Sequence, residues 1–166
     1  MLSERYYVDT CVWLNLFKEE KQISNGKPAW AIALNFIETI NHSEIGMIIY
    51  SDVILRELQI KLGDNSFQLK RRFIESQPRG YKAVLTTPDK ELARKLESQY
   101  QFNISYYDLA HLAISKRLNA ILVTRDKDLL SISKEHGVDS MIPDDIKGLA
   151  TPKNQDHPLK DACESP

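Results

Sequence analysis

Ala120-Ile121-Leu122-Val123-Thr124 is a short, almost wholly apolar run with helical patterns on both sides. A strand that alternates apolar and polar residues has one face in water, whereas a continuous apolar run fits a parallel strand covered on both faces. The stretch Ser105–Leu118 before it reads as a helix, and KDLLSISKEHG after it reads as another, closed by Gly137. This single unit already points to helices packed over a parallel sheet.

Strand–helix alternation recurs along the chain. RYYVD, residues 5–9, is short and β-rich and leads into TCVWLNLFKEE, which has helical spacing. SNGKP reads as a breaker, after which Trp30, Ala33, Leu34 and Ile37 share a helical stripe with Pro28 placed for the first turn. A strand is expected over Ile45–Tyr50, then a helix VILRELQIKL behind Ser51 and Asp52 as N-caps, and a further helix over Ser66–Ser76. YKAVLTT fits either a short strand or an extended connection. Thr87-Pro88, with Asp89 and Glu91 in the first turn, starts another helix, and Val138–Ile142 fits a last strand. The pattern predicts an α/β fold, a three-layer α/β/α sandwich with a mostly parallel central sheet.

A chain of 166 residues fits one domain, expected over 1–143, with 144–166 as an irregular or flexible tail around Pro152, Pro158 and Pro166. The formal net charge of −1 argues against a protein that coats nucleic acid through its overall field, so any such contact must be local. Two cysteines, Cys11 and Cys163, make neither a disulfide framework nor a zinc site. MLSERYYVDT has charges where a signal peptide needs an apolar stretch, and no apolar run approaches the roughly 20 residues of a membrane span. The expected location is the cytoplasm, with no membrane contact.

Ligands of open parallel sheets bind beyond the carboxyl ends of the strands. Asp9 ends the first strand, and Asp126 and Asp128 follow the last apolar run. Asp9 and Asp126 each have a structural explanation as a helix cap, and Ser105–Asp108 resembles a capping box with Asp in place of Glu. Glu57 has none, because it lies within a helix on a stripe with Val53, Ile54, Leu58 and Lys61. Its bland alternative is a surface pair with Lys61. Two carboxylates about 5 Å apart repel by about 3 kcal/mol at an effective dielectric near 20, so several converging acids need a neutralising cation. An all-oxygen donor set favours Mg²⁺ or Mn²⁺ over zinc.

The order YVDTCVWL, then VILRELQIKL, then YYDLAHLAISKRLNAILVTRDKDLL resembles the PIN-domain ribonuclease family, especially its VapC-like toxin branch, over roughly residues 5–142. The resemblance implies Asp9, Glu57, Asp108 and Asp126 as the catalytic, metal-holding quartet, Asp128 as an auxiliary ligand, and Thr10 and Thr124 as hydroxyl neighbours of the metal or its waters. Cys11 and Arg125 depart from residues common in that branch. His111, one turn after Asp108, is read as a structural or supporting residue outside the catalytic set, since a metal-activated water needs no imidazole. Trp13, Phe17, Trp30 and Phe36 have the spacing of core residues rather than of a base-stacking platform.

The implied reaction is RNA phosphodiester hydrolysis by a metal-activated water, leaving a 5′ phosphate and a 3′ hydroxyl. The implied partners are RNA, an antitoxin protein and a second copy of the chain. Residues 56–82 carry a local excess of four positive charges, and Arg125 and Lys127 flank Asp126 where a phosphate would lie. Three alternatives stand beside the toxin: a housekeeping RNA-processing nuclease, a non-catalytic binding module, and a Mg²⁺-dependent phosphatase with Asp9 as nucleophile. The last lacks the D-x-D of haloacid-dehalogenase-like enzymes, because Thr10 and Cys11 follow Asp9.

Overall fold

The computed structural model describes residues 4–146. The chain runs through β1 (Glu4–Val8), α1 (Thr10–Phe17), β2 (Ile23–Ser24), β3 (Lys27–Pro28), α2 (Ala29–Asn41), β4 (Gly46–Ser51), α3 (Asp52–Leu62) and α4 (Asp64–Glu75). It continues through β5 (Gly80–Ala83), α5 (Thr87–Gln99), α6 (Tyr106–Leu118), β6 (Ile121–Val123), α7 (Lys127–Glu135), β7 (Ser140–Met141) and a 3-10 turn at Pro143–Asp145.

Five strands form one sheet in the order β5-β4-β1-β6-β7, and every pairing is parallel. The central three bury consecutive residues: Tyr6, Tyr7 and Val8 in β1, Ile48, Ile49 and Tyr50 in β4, Leu122 and Val123 in β6. Consecutive burial means that both faces are covered, as the apolar run at 120–124 requires. Right-handed crossovers put α1–α4 on one face and α5–α7 on the other. The packing agrees, with α1 against α2 and α3, α3 against α4, α5 against α6 and α6 against α7. This is the three-layer α/β/α sandwich expected.

YKAVLTT resolves into the edge strand β5 followed by an extended link, and the Thr86 hydroxyl begins α5 through a capping box with Asp89. SNGKP is more than a breaker. Asn25 and Gly26, at φ 50° and 75°, turn a two-residue hairpin between β2 and β3. Such a hairpin is marginal alone, and it is pinned from far along the chain: Asp144 accepts the Ser24 hydroxyl at 2.6 Å and the Asn25 amide at 3.2 Å. The first residues of the expected tail, 144–146, are therefore placed, and residues 147–166 lie outside the described residues.

Trp13 and Phe36 are fully buried and Phe17 and Trp30 partly so, in line with a core role. Trp13 donates its indole N–H to the carbonyl of Val8 at 3.2 Å, which fixes α1 against the end of β1. No helix of the described residues is long and apolar enough to cross a membrane.

The chain leaves β1 toward β4 and β5, then returns across the sheet to β6 and β7. Paths diverge on either side of the β1–β6 pair, the kind of switch point beyond which open parallel sheets form a crevice. Val8 pairs with Val123 in register, so Asp9 and Thr124 both stand one residue past the sheet at that point.

Candidate metal centre

Asp9 is only 4% exposed, and both its oxygens are engaged. Oδ1 accepts the Thr10 N–H at 2.6 Å, while Oδ2 accepts the Thr124 hydroxyl at 2.7 Å and the Cys11 thiol at 3.1 Å. It is also the N-cap of α1, so the capping role and a place in the crevice coexist. A helix N-terminus favours the negative charge that the burial opposes.

Glu57 reaches the same point from the middle of α3. Its Oε2 accepts the Thr10 hydroxyl at 2.6 Å and lies 2.6 Å from Nε2 of His111, whose side chain is fully buried. The surface pair with Lys61 is thus not its role. Burial pushes the Glu57 carboxyl up, but the His111 and Thr10 hydrogen bonds outweigh it and hold the group below the ordinary carboxylate value. Burial alone pushes the His111 imidazole down, yet the bond to Glu57 and the charges of Asp9, Glu57 and Asp108 win, and its pKa is raised.

His111 Nε2 is also 3.5 Å from Asp9 Oδ1. One donor atom from each of Asp9, Glu57 and His111 lies within 4.8 Å of the others. His111, expected as a structural or supporting residue outside the catalytic set, is in contact with both inner acids. The signal available was its place one turn after Asp108 on α6.

Asp108 is half-buried in the first turn of α6, where its Oδ2 accepts the Ser105 hydroxyl at 2.6 Å. Burial, joined by the charges of Asp9 and Asp126, raises its pKa against the opposing pull of Ser105 and His111. Asp126 is exposed and caps α7, accepting the Leu129 N–H at 2.9 Å, and Asp128 is exposed one step into that helix. Asp9 and Glu57 therefore converge with His111, Asp108 stands within reach of their charges, and Asp126 and Asp128 sit at the outer rim.

Thr10 and Thr124 are bonded to the carboxylates themselves: Thr10 to Glu57, and Thr124 to Asp9 while accepting the Asp126 N–H at 3.1 Å. Arg125 turns away from the crevice. Its Nη2 pairs with Asp144 Oδ2 at 2.9 Å, and the Asp144 side chain is 2% exposed. Lys127, next along, is exposed. Clustered carboxylate oxygens from Asp9 and Glu57, with Asp108 close by, suit a hard divalent cation.

Fold and crevice together define a class: an α/β/α protein whose parallel sheet opens, at its switch point, onto a group of acids, with Asp9 buried and Glu57 and Asp108 half-buried. The PIN domain family model matches residues 6–135, and the chain belongs to that family. No curated protein sequence matches it. Among solved structures it is similar in fold to VapBC2 from Rickettsia felis bound to a promoter DNA fragment, with a TM-score of 0.62 and 17% identity over 83% of this chain and 98% of that one. It is similar also to the Mycobacterium tuberculosis toxin VapC20, described as cleaving the sarcin-ricin loop, with a TM-score of 0.58 and 16% identity over 76% and 94% of the two chains. A third is FitAcB from Neisseria gonorrhoeae, with a TM-score of 0.56 and 15% identity over 85% and 99%.

Proposed function

We propose that the chain is a Mg²⁺- or Mn²⁺-dependent endoribonuclease and the toxin of a type II toxin–antitoxin pair. The observation that carries this reading is the convergence of Asp9 and Glu57, from β1 and α3, on one buried point at the carboxyl edge of the sheet. Buried carboxylates without a cation are costly, and local structure explains Asp9 but not Glu57.

In this reading Asp9 and Glu57 hold the ion, with Asp108 and Asp126 completing the set and Asp128 assisting. When bound, such an ion lowers the pKa of a water and offsets charge that develops on the scissile phosphate. Thr124 and Thr10 orient the two inner carboxylates by donating to them. The N-termini of α1 and α7, capped by Asp9 and Asp126, add partial positive charge beside the crevice.

RNA needs cations outside the acidic crevice. Within 56–82, Arg71 pairs with Glu75 and Lys82 with Asp52, whereas Arg56, Lys61 and Arg72 are exposed and suited to phosphates. Lys127 beside Asp126 joins them. The phosphatase alternative loses support because Cys11, not a second acid, stands two residues after Asp9 and donates its thiol to that carboxylate. The toxin context is supported by likeness to the toxin VapC20 and an antitoxin partner by likeness to VapBC2, while a homodimer follows from the family resemblance alone.

The test is cleavage of a structured RNA by the purified chain with Mg²⁺ or Mn²⁺, with EDTA, and in the Asp9→Asn and Asp126→Asn variants. Cleavage that needs the metal and falls by about 100-fold or more in Asp9→Asn is expected. Equal cleavage by both variants and the parent overturns the site, and metal-dependent turnover of phosphomonoesters alone overturns the substrate. Co-purification of a small protein encoded beside this one separates a toxin from a housekeeping nuclease.

A further inference from the structure

Behind the acids runs a chain of buried polar groups that starts and ends on the same helix. The Ser51 hydroxyl caps α3, accepting the Ile54 N–H at 3.3 Å. The same oxygen lies 2.6 Å from the Tyr7 hydroxyl of β1, which in turn lies 2.9 Å from Nδ1 of His111 on α6. Nε2 of His111 then meets Glu57, back on α3, at 2.6 Å. Tyr7, Ser51 and His111 are each 0% exposed.

Hydrogen-bond polarity fixes what His111 does. An ionised carboxylate only accepts, so Nε2 carries a proton and donates it to Glu57. This holds whether Nδ1 accepts from Tyr7 or donates to it. A nitrogen whose lone pair is taken by a proton is not a metal ligand, and one that donates in the resting state is not a base. With the Thr10 hydroxyl donating to the same atom, Oε2 takes two donors and Oε1 is left for a ligand.

We propose that Tyr7 and Ser51, acting through His111, form a buried positioning chain that locks the Glu57 carboxylate in its ion-holding orientation. The proposal rests on the reading of the crevice as a metal centre. Its geometry is closed: the N-cap that sets the start of α3 and the carboxylate that α3 carries are held through the same imidazole. Outer partners of metal ligands commonly change metal affinity by about 10- to 100-fold when removed.

Mn²⁺ binding to the full chain, followed by titration calorimetry and by electron paramagnetic resonance, provides the test. Tyr7→Phe keeps the ring in the core and removes only the hydroxyl, so it is expected to stay folded and to bind Mn²⁺ about 10-fold more weakly. His111→Gln places an amide N–H where Nε2–H stood and is expected to retain most of the affinity, whereas His111→Leu loses it. Pulsed resonance on the parent's Mn²⁺ complex is expected to lack the coupling of a directly bound nitrogen. That coupling, or a folded Tyr7→Phe that binds Mn²⁺ like the parent, overturns the chain while leaving the metal centre standing. A folded parent that binds no Mn²⁺ overturns both.

Discussion

Thr124 donates its hydroxyl hydrogen to Oδ2 of Asp9 at 2.7 Å, joining the residues that follow two adjacent strands. The same hydroxyl oxygen accepts the Asp126 N–H at 3.1 Å, so one side chain braces an inner and an outer acid. Thr124→Val keeps the shape and removes both bonds. Expected are a loss of about 1–3 kcal/mol in stability and about 10-fold weaker Mn²⁺ binding, with Thr124→Ser restoring the binding. Calorimetric Mn²⁺ titrations beside thermal melts measure both; undiminished affinity in Thr124→Val counts against this role.

Arg125 and Lys127 are both basic and both beside Asp126, yet their surroundings assign them different work. Arg125 is committed to Asp144, and through it to the β2–β3 hairpin, whereas Lys127 is exposed. Lys127→Ala is expected to lower the slope of log affinity for RNA against log salt by about one, with stability unchanged. Arg125→Ala is expected to leave that slope alone and to cost about 1–3 kcal/mol of stability, because it removes the cation beside a buried carboxylate oxygen. Fluorescence anisotropy with a labelled RNA over a salt series separates the two, and an equal drop in slope for both variants contradicts the assignment.

Asp89 provides the pH dependence. Its carboxylate is 3% exposed, accepts Arg117 Nε on its two oxygens at 3.0 and 3.1 Å, and completes the capping box of α5. Burial pushes its pKa up, but Arg117 and Thr86 outweigh this and lower it. A depressed folded pKa contributes stability that is fully present above the unfolded value near 3.9, and the contribution is lost as pH falls through the folded value. Asp89→Asn is expected to cost about 1–3 kcal/mol near neutrality, less than a fully buried pair because Arg117 reaches solvent. Urea unfolding should show the gap to the parent shrinking below about pH 4, and a gap that widens there contradicts the pairing.

Cys11 touches the site but is expected to be chemically quiet. Burial, with the Asp9 charge beside it, pushes its thiol pKa far up. Alkylation by iodoacetamide near pH 8 should therefore be more than about tenfold slower in the folded, metal-free chain than in urea, as peptide mapping reads it. Cys11→Ser, which keeps a donor for Asp9, should bind Mn²⁺ like the parent. Rapid labelling of the folded chain contradicts this.

The sequence determined the layers. Apolar runs such as 121–123 fit little besides strands covered on both faces, and caps such as Ser51 and Ser105 mark where helices must begin. It also placed Asp9 at the end of the first strand and Asp126 just past the apolar run, and left Glu57 without a local explanation, because periodicity and capping report on neighbours in the chain. What it left open was who meets whom. His111 reads as a packed helical residue until strand order brings α6 over β1, Tyr7 reads as core, Arg125 reads as a phosphate contact until Asp144 returns to it, and Ser24–Lys27 reads as a break. Each of these depends on a partner far along the chain, and such contacts follow from strand order and crossover, which no local spacing encodes. The acids were legible one by one; the imidazole that unites two of them, and the hydroxyls that hold it, were decided by the tertiary fold.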